Sequence, residues 1–327
     1  MAKKYRVLIP QDIPESGKEL LRRIDCEPVM GTGASEETIK REIRGCRALV
    51  ARTAPITRAI LEAADELAVI SRFGVGVENI DIAAATERGV WVANTPQANS
   101  ISVAEHAIAM LLACATNLVA ADAQTKRGNF AFRNQTMGIE LYGRTLGIAG
   151  LGRIGRHMAR IAGPGLGMRV LAHDPYLARE NAPEGVIMTD SLETLLADSD
   201  AVSLNFPATP ETKASFGRRQ FALMKPGALF INCSRGEVVV ETDLAEALRA
   251  KRIAWAALDV FEPEPPAADN PLFSLPNVVA TPHTASFTRG AFDRMAEHMV
   301  HNIANVLSGG KPAWPVNNPA VDAAPTR

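Results

Sequence analysis

The sequence predicts an α/β protein of doubly wound parallel sheets covered by helices, and three observations predict it. Short apolar runs alternate with helix-like stretches at intervals of roughly 20 residues, the rhythm of a parallel sheet with crossover helices. The alternation restarts near Thr145, and a glycine-rich loop follows the first strand of the second set. With 327 residues the chain is too long for one ordinary core, so two domains are expected.

In the first set, Tyr5–Pro10 reads as a strand, and Pro14–Ile24 and Glu36–Arg44 read as helices. Strands Ala48–Ala51 and Val69–Ser71 follow, then a helix at Ile82–Arg88 and a strand at Val90–Ala93. Ser102–Ala121 reads as one long helix. Its apolar part, Ala107–Ala115, is far short of the ~20 residues a membrane span needs and reads as buried. The second set holds six apolar strands: Thr145–Ala149, Arg169–His173, Ala201–Asn205, Ala228–Asn232, Ala256–Leu258 and Val278–Ala280. Six fit a doubly wound sheet. Arg153–Ile161, Ser191–Leu196 and Glu241–Ala250 supply helices between them, and Arg289–Leu307 closes the pattern. Gly163–Gly167 reads as a helix stop, and Asn317–Arg327 as a poorly ordered tail.

Composition narrows the function. The chain is 47% apolar and 22% charged with a formal net charge of −1. That balance argues against a broad docking surface for nucleic acid or an anionic membrane. The four cysteines, Cys26, Cys46, Cys114 and Cys233, lie far apart without a CxxC pair. Neither a metal site nor a disulfide framework is expected, and a reducing compartment is the reading. The opening MAKKYRVLIP lacks the apolar core of a signal peptide, so a cytoplasmic location is expected.

Gly150-Leu151-Gly152-Arg153-Ile154-Gly155 fits G-x-G-x-x-G, a pattern that means little alone. Here an apolar strand precedes it, an amphipathic helix follows, and the next strand ends at Asp174, 19 residues after Gly155. Each part has a task in dinucleotide binding. Gly150 permits the tight turn, Gly152 lets backbone approach a pyrophosphate, and Gly155 allows helix and strand to pack closely. The helix N-terminus adds N–H groups and partial positive charge. Asp174 can accept bonds from ribose hydroxyls and repel a 2′-phosphate, which favours NAD over NADP. The plain alternative is a glycine turn capped by an aspartate.

Three later segments place reactive side chains just after apolar strands, where open α/β sheets hold ligands. Arg235 lies in Asn232–Gly236, Glu264 in Asp259–Pro265, and His283 in Thr281–Ala285. Singly, each has an ordinary explanation: a solvated arginine, a turn glutamate, a histidine bonded to local backbone. Together they supply what hydride transfer to a 2-keto acid needs. Arg235 would hold the substrate and polarise its carbonyl. His283 would deliver the proton, and Glu264 would stabilise the imidazolium and fix its tautomer.

These segments, with 73–81, 94–106 and 143–155, closely resemble the D-isomer-specific 2-hydroxyacid dehydrogenase family over nearly the whole chain. The resemblance implies two Rossmann-like, doubly wound parallel-sheet domains. The substrate domain would be 1–99 plus 286–327, the NAD-binding domain 100–285 inserted into it, with the active site in the cleft. It also implies a homodimer formed largely through the cofactor domains. Family NAD contacts carry over to Arg153, Ile154 and Asp174, and those near the nicotinamide to Phe206, Cys233, Asp259 and His283. Phe73–Asp81 resembles the segment whose backbone N–H groups bind the substrate carboxylate, with Val75 and Gly76 as the chosen residues; a structural turn is the alternative. Gln97 and Asn205 depart from residues common in the family, glycine and histidine, which bears on specificity rather than on activity.

Three arginines bear on the substrate: Arg52, Arg72 and Arg133. Corresponding positions in 3-phosphoglycerate dehydrogenases carry arginines that hold phosphate, and a planar guanidinium suits that group. Any one of them alone reads as a surface arginine. Together they favour D-3-phosphoglycerate/3-phosphohydroxypyruvate, in a short form without the regulatory domain. A hydroxypyruvate/glyoxylate reductase is the alternative. A different class, an NAD-sensing corepressor-like binding protein, is also a known outcome of the resemblance, and the full triad weighs against it.

Overall fold

The computed structural model describes residues 4–320, which form two compact units: 4–99 with 288–320, and 100–287. The second boundary follows Phe287, two residues beyond the expected one. Ala285 still donates to Asp259 of the inserted unit, and Thr288 starts the closing helix by capping Ala291 N–H.

The first unit begins β1 (Tyr5–Ile9), α1 (Glu15–Arg23), β2 (Cys26–Met30), α2 (Glu36–Glu42) and β3 (Ala48–Ala51). It continues α3 (Arg58–Ala63), β4 (Val69–Arg72), α4 (Ile82–Glu87) and β5 (Trp91–Ala93). Its sheet is parallel, in the order β2-β1-β3-β4-β5. Strand β2 was not visible as an apolar run: it is an edge strand with mostly half-exposed residues and contains Pro28. An edge tolerates proline because only one side needs ladder bonds.

The second unit begins α5 (Ser100–Ala115), α6 (Leu118–Lys126), β6 (Thr145–Ala149), α7 (Arg153–Leu166), β7 (Arg169–His173) and β8 (Val186–Met188). It continues α8 (Leu192–Asp198), β9 (Ala201–Leu204), α9 (Arg218–Leu223), β10 (Leu229–Asn232), α10 (Glu241–Arg249), β11 (Trp255–Leu258) and β12 (Val278–Ala280). The sheet order is β12-β11-β10-β9-β6-β7-β8, seven strands rather than six. The added β8 is a three-residue edge strand, too short and too exposed to stand out. Both faces of the sheet are buried, as crossover helices require. Leu229 and Ile231 enter one apolar cluster with α5 and α7, while Phe230 between them enters the other beside Phe216 and Phe221.

Two helix boundaries differ from expectation. Ser102–Ala121 is not one helix: α5 and α6 meet at a 64° bend. Asn117 takes the left-handed conformation, φ 53°, and its Nδ2 donates to Met137 O, so a local bond competes with helix continuation. Conversely, Gly163–Gly165 lies inside α7, and the stop falls only at Gly167, φ 64°, whose N–H bonds Gly163 O. The expected buried stretch Ala107–Ala115 is part of α5, which contributes Ala107, Ile108, Leu111 and Cys114 to the core. Among the described residues no single helix is long and apolar enough to cross a membrane.

The chain ends return to the first unit through α11 (Arg289–Leu307). Fully buried Asn302 ties helix to sheet: its Nδ2 donates to Asn94 O (3.0 Å) and its Oδ1 accepts Trp314 N–H (3.2 Å). Nor is Asn317 loose, because it exchanges bonds with Val92 N–H (2.7 Å) and Val90 O (2.9 Å). Of the expected tail, 321–327 lies outside the described residues. Replacing Asn302 with Ala takes the fully buried partner from the Asn94 carbonyl and the Trp314 N–H. It should lower unfolding stability by about 2–3 kcal/mol, read as a reduced urea midpoint at constant slope. A change within about 0.5 kcal/mol would show that these bonds do not secure the helix.

Candidate functional site

Because β6, β7, β9, β10, β11 and β12 run parallel, the residues that follow them share one edge of the inserted unit's sheet. The strand order reverses between β9 and β6, and there the glycine loop meets Asn205. Gly150 has φ 91°, and a Cβ on it would stand 2.7 Å from Asn205 O. A Cβ on Gly155 would stand 2.4 Å from Gly150 O, so α7 packs directly on its own loop. At Gly152 a Cβ would enter open space, as suits a residue whose backbone faces a ligand. These glycines, with the 14-residue α7 starting at Arg153, fit a dinucleotide pyrophosphate. Ile154 is half-buried and Arg153 exposed at the start of α7.

Asp174, just after β7, holds the loop from beside it. Its Oδ2 accepts Leu151 N–H (2.9 Å) and its Oδ1 accepts Tyr176 N–H (3.0 Å). Phe206 follows β9 and packs partly against the apolar cluster. Cys233 follows β10 with its Sγ 3.7 Å from Met110 Sδ, and burial followed by the nearby Asp259 charge pushes its thiol up.

The three reactive side chains come from adjacent strand ends. Arg235 follows β10; its carbonyl accepts Asn232 Nδ2 (2.9 Å) and its Nη1 donates to Ser234 O (2.8 Å). The next residue must be glycine, because a Cβ on Gly236 would stand 2.0 Å from Phe261 O. That contact sets the Arg235 turn against the segment carrying Glu264. Glu264 Oε1 accepts Phe261 N–H (3.1 Å), and its Oε2 accepts His283 Nδ1–H at 2.7 Å. His283 has φ 52°, and its N–H donates to Asp259 O (2.8 Å).

Asp259 has no solvent exposure, and its carboxylate is engaged with the His283 turn. Oδ1 accepts Thr281 Oγ1–H (2.5 Å) and Thr284 N–H (2.9 Å); Oδ2 accepts Ala285 N–H (2.9 Å). His106 of α5 lies beside it, with Nε2 3.1 Å from Thr281 Oγ1 and 3.5 Å from Asp259 Oδ1. Thr281 and His106 were not singled out as site residues from the sequence. An imidazole inside an apolar helix, in the segment 94–106, was the signal for the second.

Electrostatics match the geometry. The Glu264 hydrogen bond holds the His283 pKa above its ordinary value; burial opposes this, the Glu264 and Asp259 charges add to it, and Arg235 subtracts. For Glu264, burial alone would raise the carboxyl. The His283 bond and charge, the Phe261 N–H and Arg235 outweigh it and hold the pKa below the usual value. The ion pair therefore exists above the lowered Glu264 value and below the raised His283 value, and is lost as pH leaves that window in either direction. Phe261, Glu264, Pro265, Pro266, Phe273 and His283 help line an apolar pocket of about 450 Å³ beside the pair.

The substrate-side residues predicted from sequence are distributed over the two units. In the first unit, Arg72 does not extend outward: its Nε donates to Gly76 O (2.8 Å) and its Nη1 to Phe73 O (2.5 Å). Val75 O accepts Asn94 Nδ2 (2.8 Å). Arg52 bonds Asp12 O through Nη1 and lies 5.9 Å from the Phe292 ring centre. Gln97 is exposed on the chain leading to α5. In the second unit, Arg133 is exposed in a five-residue 3-10 segment, 5.3 Å from the Phe130 ring centre.

Glu264→Gln removes the charge that supports the imidazolium. In an NMR titration His283 should then lose its proton at lower pH than in the parent protein. An unchanged midpoint would mean that some other group raises it.

Residues 108–285, more than half of the chain, match the family model described as D-isomer specific 2-hydroxyacid dehydrogenase, NAD binding domain. The chain is 42% identical over 97% of its length to a D-3-phosphoglycerate dehydrogenase of Archaeoglobus fulgidus, of which it covers 60%. It is 39% identical to a glyoxylate reductase of Korarchaeum cryptofilum, covering 98% of each. The crystal structure of the TT0316 protein of Thermus thermophilus superposes with TM-score 0.87 at 36% identity, over 95% of this chain and all of that one. The chain spans 51–60% of the length of the first three phosphoglycerate dehydrogenases it resembles. By matched residues, identity and fold alike, the chain belongs to the D-isomer-specific 2-hydroxyacid dehydrogenase family.

Proposed function

We propose that the protein is an NAD-dependent D-2-hydroxyacid dehydrogenase, and the observation that carries this reading is the 2.7 Å His283–Glu264 pair set beside Arg235. Glu264 holds the Nδ1 proton, so Nε2 is the working nitrogen. In keto-acid reduction, protonated His283 donates its Nε2 proton to the C2 oxygen; in hydroxy-acid oxidation, neutral His283 accepts it back. Arg235 binds the carboxylate of the substrate and meets the negative charge that builds on the C2 oxygen. When bound, the nicotinamide supplies or takes the hydride at C2. The loop Gly150–Gly155 and the α7 N-terminus would hold the pyrophosphate, and Asp174 the ribose hydroxyls.

In the first unit, Val75 and Gly76 are the proposed carboxylate ligands. The carbonyls of the two peptides that carry their N–H groups, Gly74 O and Val75 O, are held by Thr95 and Asn94. In a trans peptide the next N–H points opposite the carbonyl, so the Val75 and Gly76 N–H groups turn away from those side chains. A small anion suits that backbone.

For the substrate itself, D-3-phosphoglycerate and 3-phosphohydroxypyruvate are the first reading. Several relatives at 37–42% identity carry that enzyme's name, and Arg52 and Arg133 remain the candidate phosphate ligands. Glyoxylate or hydroxypyruvate reduction is the second reading. A glyoxylate reductase relative at 39% identity favours it, as does the commitment of Arg72 to its own loop.

A panel of 3-phosphohydroxypyruvate, hydroxypyruvate, glyoxylate and pyruvate, each with NADH and with NADPH, tests the reading. NADH should be oxidised with at least one of them, and the rate should fall as pH rises through the raised His283 pKa. His283→Ala should lower turnover about 10²–10⁴-fold while NADH binding persists; surviving turnover would move the proton donor elsewhere. Arg133→Ala separates the two substrate readings. It should raise KM for 3-phosphohydroxypyruvate at least tenfold and leave glyoxylate unaffected, and an equal effect on both ends the phosphate reading.

A further inference from the structure

One imidazole of the inserted unit has no part in the scheme above. His106 projects from the second turn of α5 with its side chain 24% exposed, and its Nε2 lies 3.1 Å from Thr281 Oγ1. Thr281 Oγ1 is in turn 2.5 Å from Asp259 Oδ1. The direction of this chain is fixed by elementary chemistry. An ionised carboxylate only accepts, so the Thr281 hydroxyl proton lies toward Asp259. The Thr281 oxygen is then left with lone pairs alone, and His106 must be the donor, with its proton on Nε2. The sequence His106 Nε2–H, Thr281 Oγ1–H, Asp259 Oδ1 is a polarised row ending on a buried charge, where each bond strengthens the next.

Asp259 is where this row meets the turn of His283. The same carboxylate takes Thr284 and Ala285 N–H groups, and the Asp259 carbonyl takes the N–H of His283 itself. Thr281 grips the turn before His283, and Thr284 and Ala285 grip it after. One helical turn beyond His106, Met110 Sδ lies 3.9 Å from Thr281 Oγ1 and 3.7 Å from Cys233 Sγ. The same face of α5 therefore touches the loops after both β12 and β10.

We propose that His106 is a positioning residue for the proton donor: through Thr281 and Asp259 it holds the turn that aims His283 at Glu264 and at the substrate oxygen. It does not touch the reacting atoms. The proposal rests on His283 being the proton donor of the reading above.

The test pairs substitutions that remove the row with ones that keep it. His106→Leu and Thr281→Val delete a donor; His106→Gln, whose amide nitrogen reaches about as far as the imidazole Nε2, and Thr281→Ser keep one. On the panel substrate that is turned over, His106→Leu should lower kcat about tenfold or more, the scale of a misplaced catalytic group. KM and the Kd for NADH should stay within about twofold. His106→Gln should recover most of the loss. The His106→Leu/Thr281→Val double variant should be no worse than either single one, because both break the same row. By NMR the His283 titration midpoint should fall in His106→Leu and be retained in His106→Gln. Equal loss in the Leu and Gln variants, strictly additive losses, or an unmoved His283 midpoint would overturn the proposal. If His106→Leu does not fold, the Thr281→Val and Thr281→Ser pair decides by the same readings. The titration needs no substrate: silence across the whole panel defeats the functional reading, while the midpoints still decide the role of His106.

Discussion

A carboxylate cut off from solvent must find donors for its charge within the fold, or the fold does not form around it. Asp259 finds them in the segment that follows β12, so burying the charge and shaping that segment are one event. Three bonds reach its oxygens, from a threonine hydroxyl and two backbone N–H groups. Hydrogen bonds to a charged group each contribute about 1.5–3 kcal/mol. They offset the left-handed backbone at His283, a conformation that costs a residue with a Cβ about 1–2 kcal/mol. The bend is why the imidazole reaches Glu264, 19 residues earlier in the chain.

The sheet adds the second constraint. Asn232, Leu258 and Ala280 are level with one another across β10, β11 and β12. With strands about 4.8 Å apart, the loops that follow begin on neighbouring rungs and must pack against each other. Gly236 is the clearest result, since any side chain there would collide with the Phe261 backbone. The glycine motif obeys the same logic after β6, further along the same edge of the sheet: Gly155 allows α7 to press on Gly150, and Gly150 allows the loop to press on Asn205. In both places a missing Cβ sets how close two backbones come.

What was legible in the sequence followed from how strongly each feature is written there. Strands buried on both faces, such as Leu229–Asn232, read as apolar runs and were placed within a residue or so. Two exposed edge strands carry no such run, which hid Cys26–Met30 and Val186–Met188. The break in the long helix was hidden for another reason: Asn117 is a mild helix disfavourer by composition, and its left-handed turn depends on a bond to Met137, a partner 20 residues away. Arg235, Glu264 and His283 were legible because their chemistry and strand-end positions coincide. His106 carried a single sign, an imidazole in an apolar helix, and that sign acquires a meaning only when Thr281 is brought to it.

Arg72 carries the same lesson into substrate recognition. By residue type it is an anion ligand; by geometry its planar fork clasps the carbonyls of Phe73 and Gly76, the loop that carries Val75. Those two roles are linked rather than opposed. A backbone can offer N–H groups to a carboxylate only if its carbonyls are turned away and satisfied, and in a loop with glycines at 74 and 76 something must hold them so. On the proposed reading Arg72 serves the carboxylate that every 2-hydroxy acid possesses. Discrimination of a distal phosphate then falls to Arg52 and Arg133, each anchored differently, one to Asp12 and one only over the Phe130 ring as far as its charged end is concerned. On that reading the shared chemistry rests on carbonyls and carboxylates held firmly in place, and the proposed choice among substrates would rest on the less constrained of the two guanidinium groups.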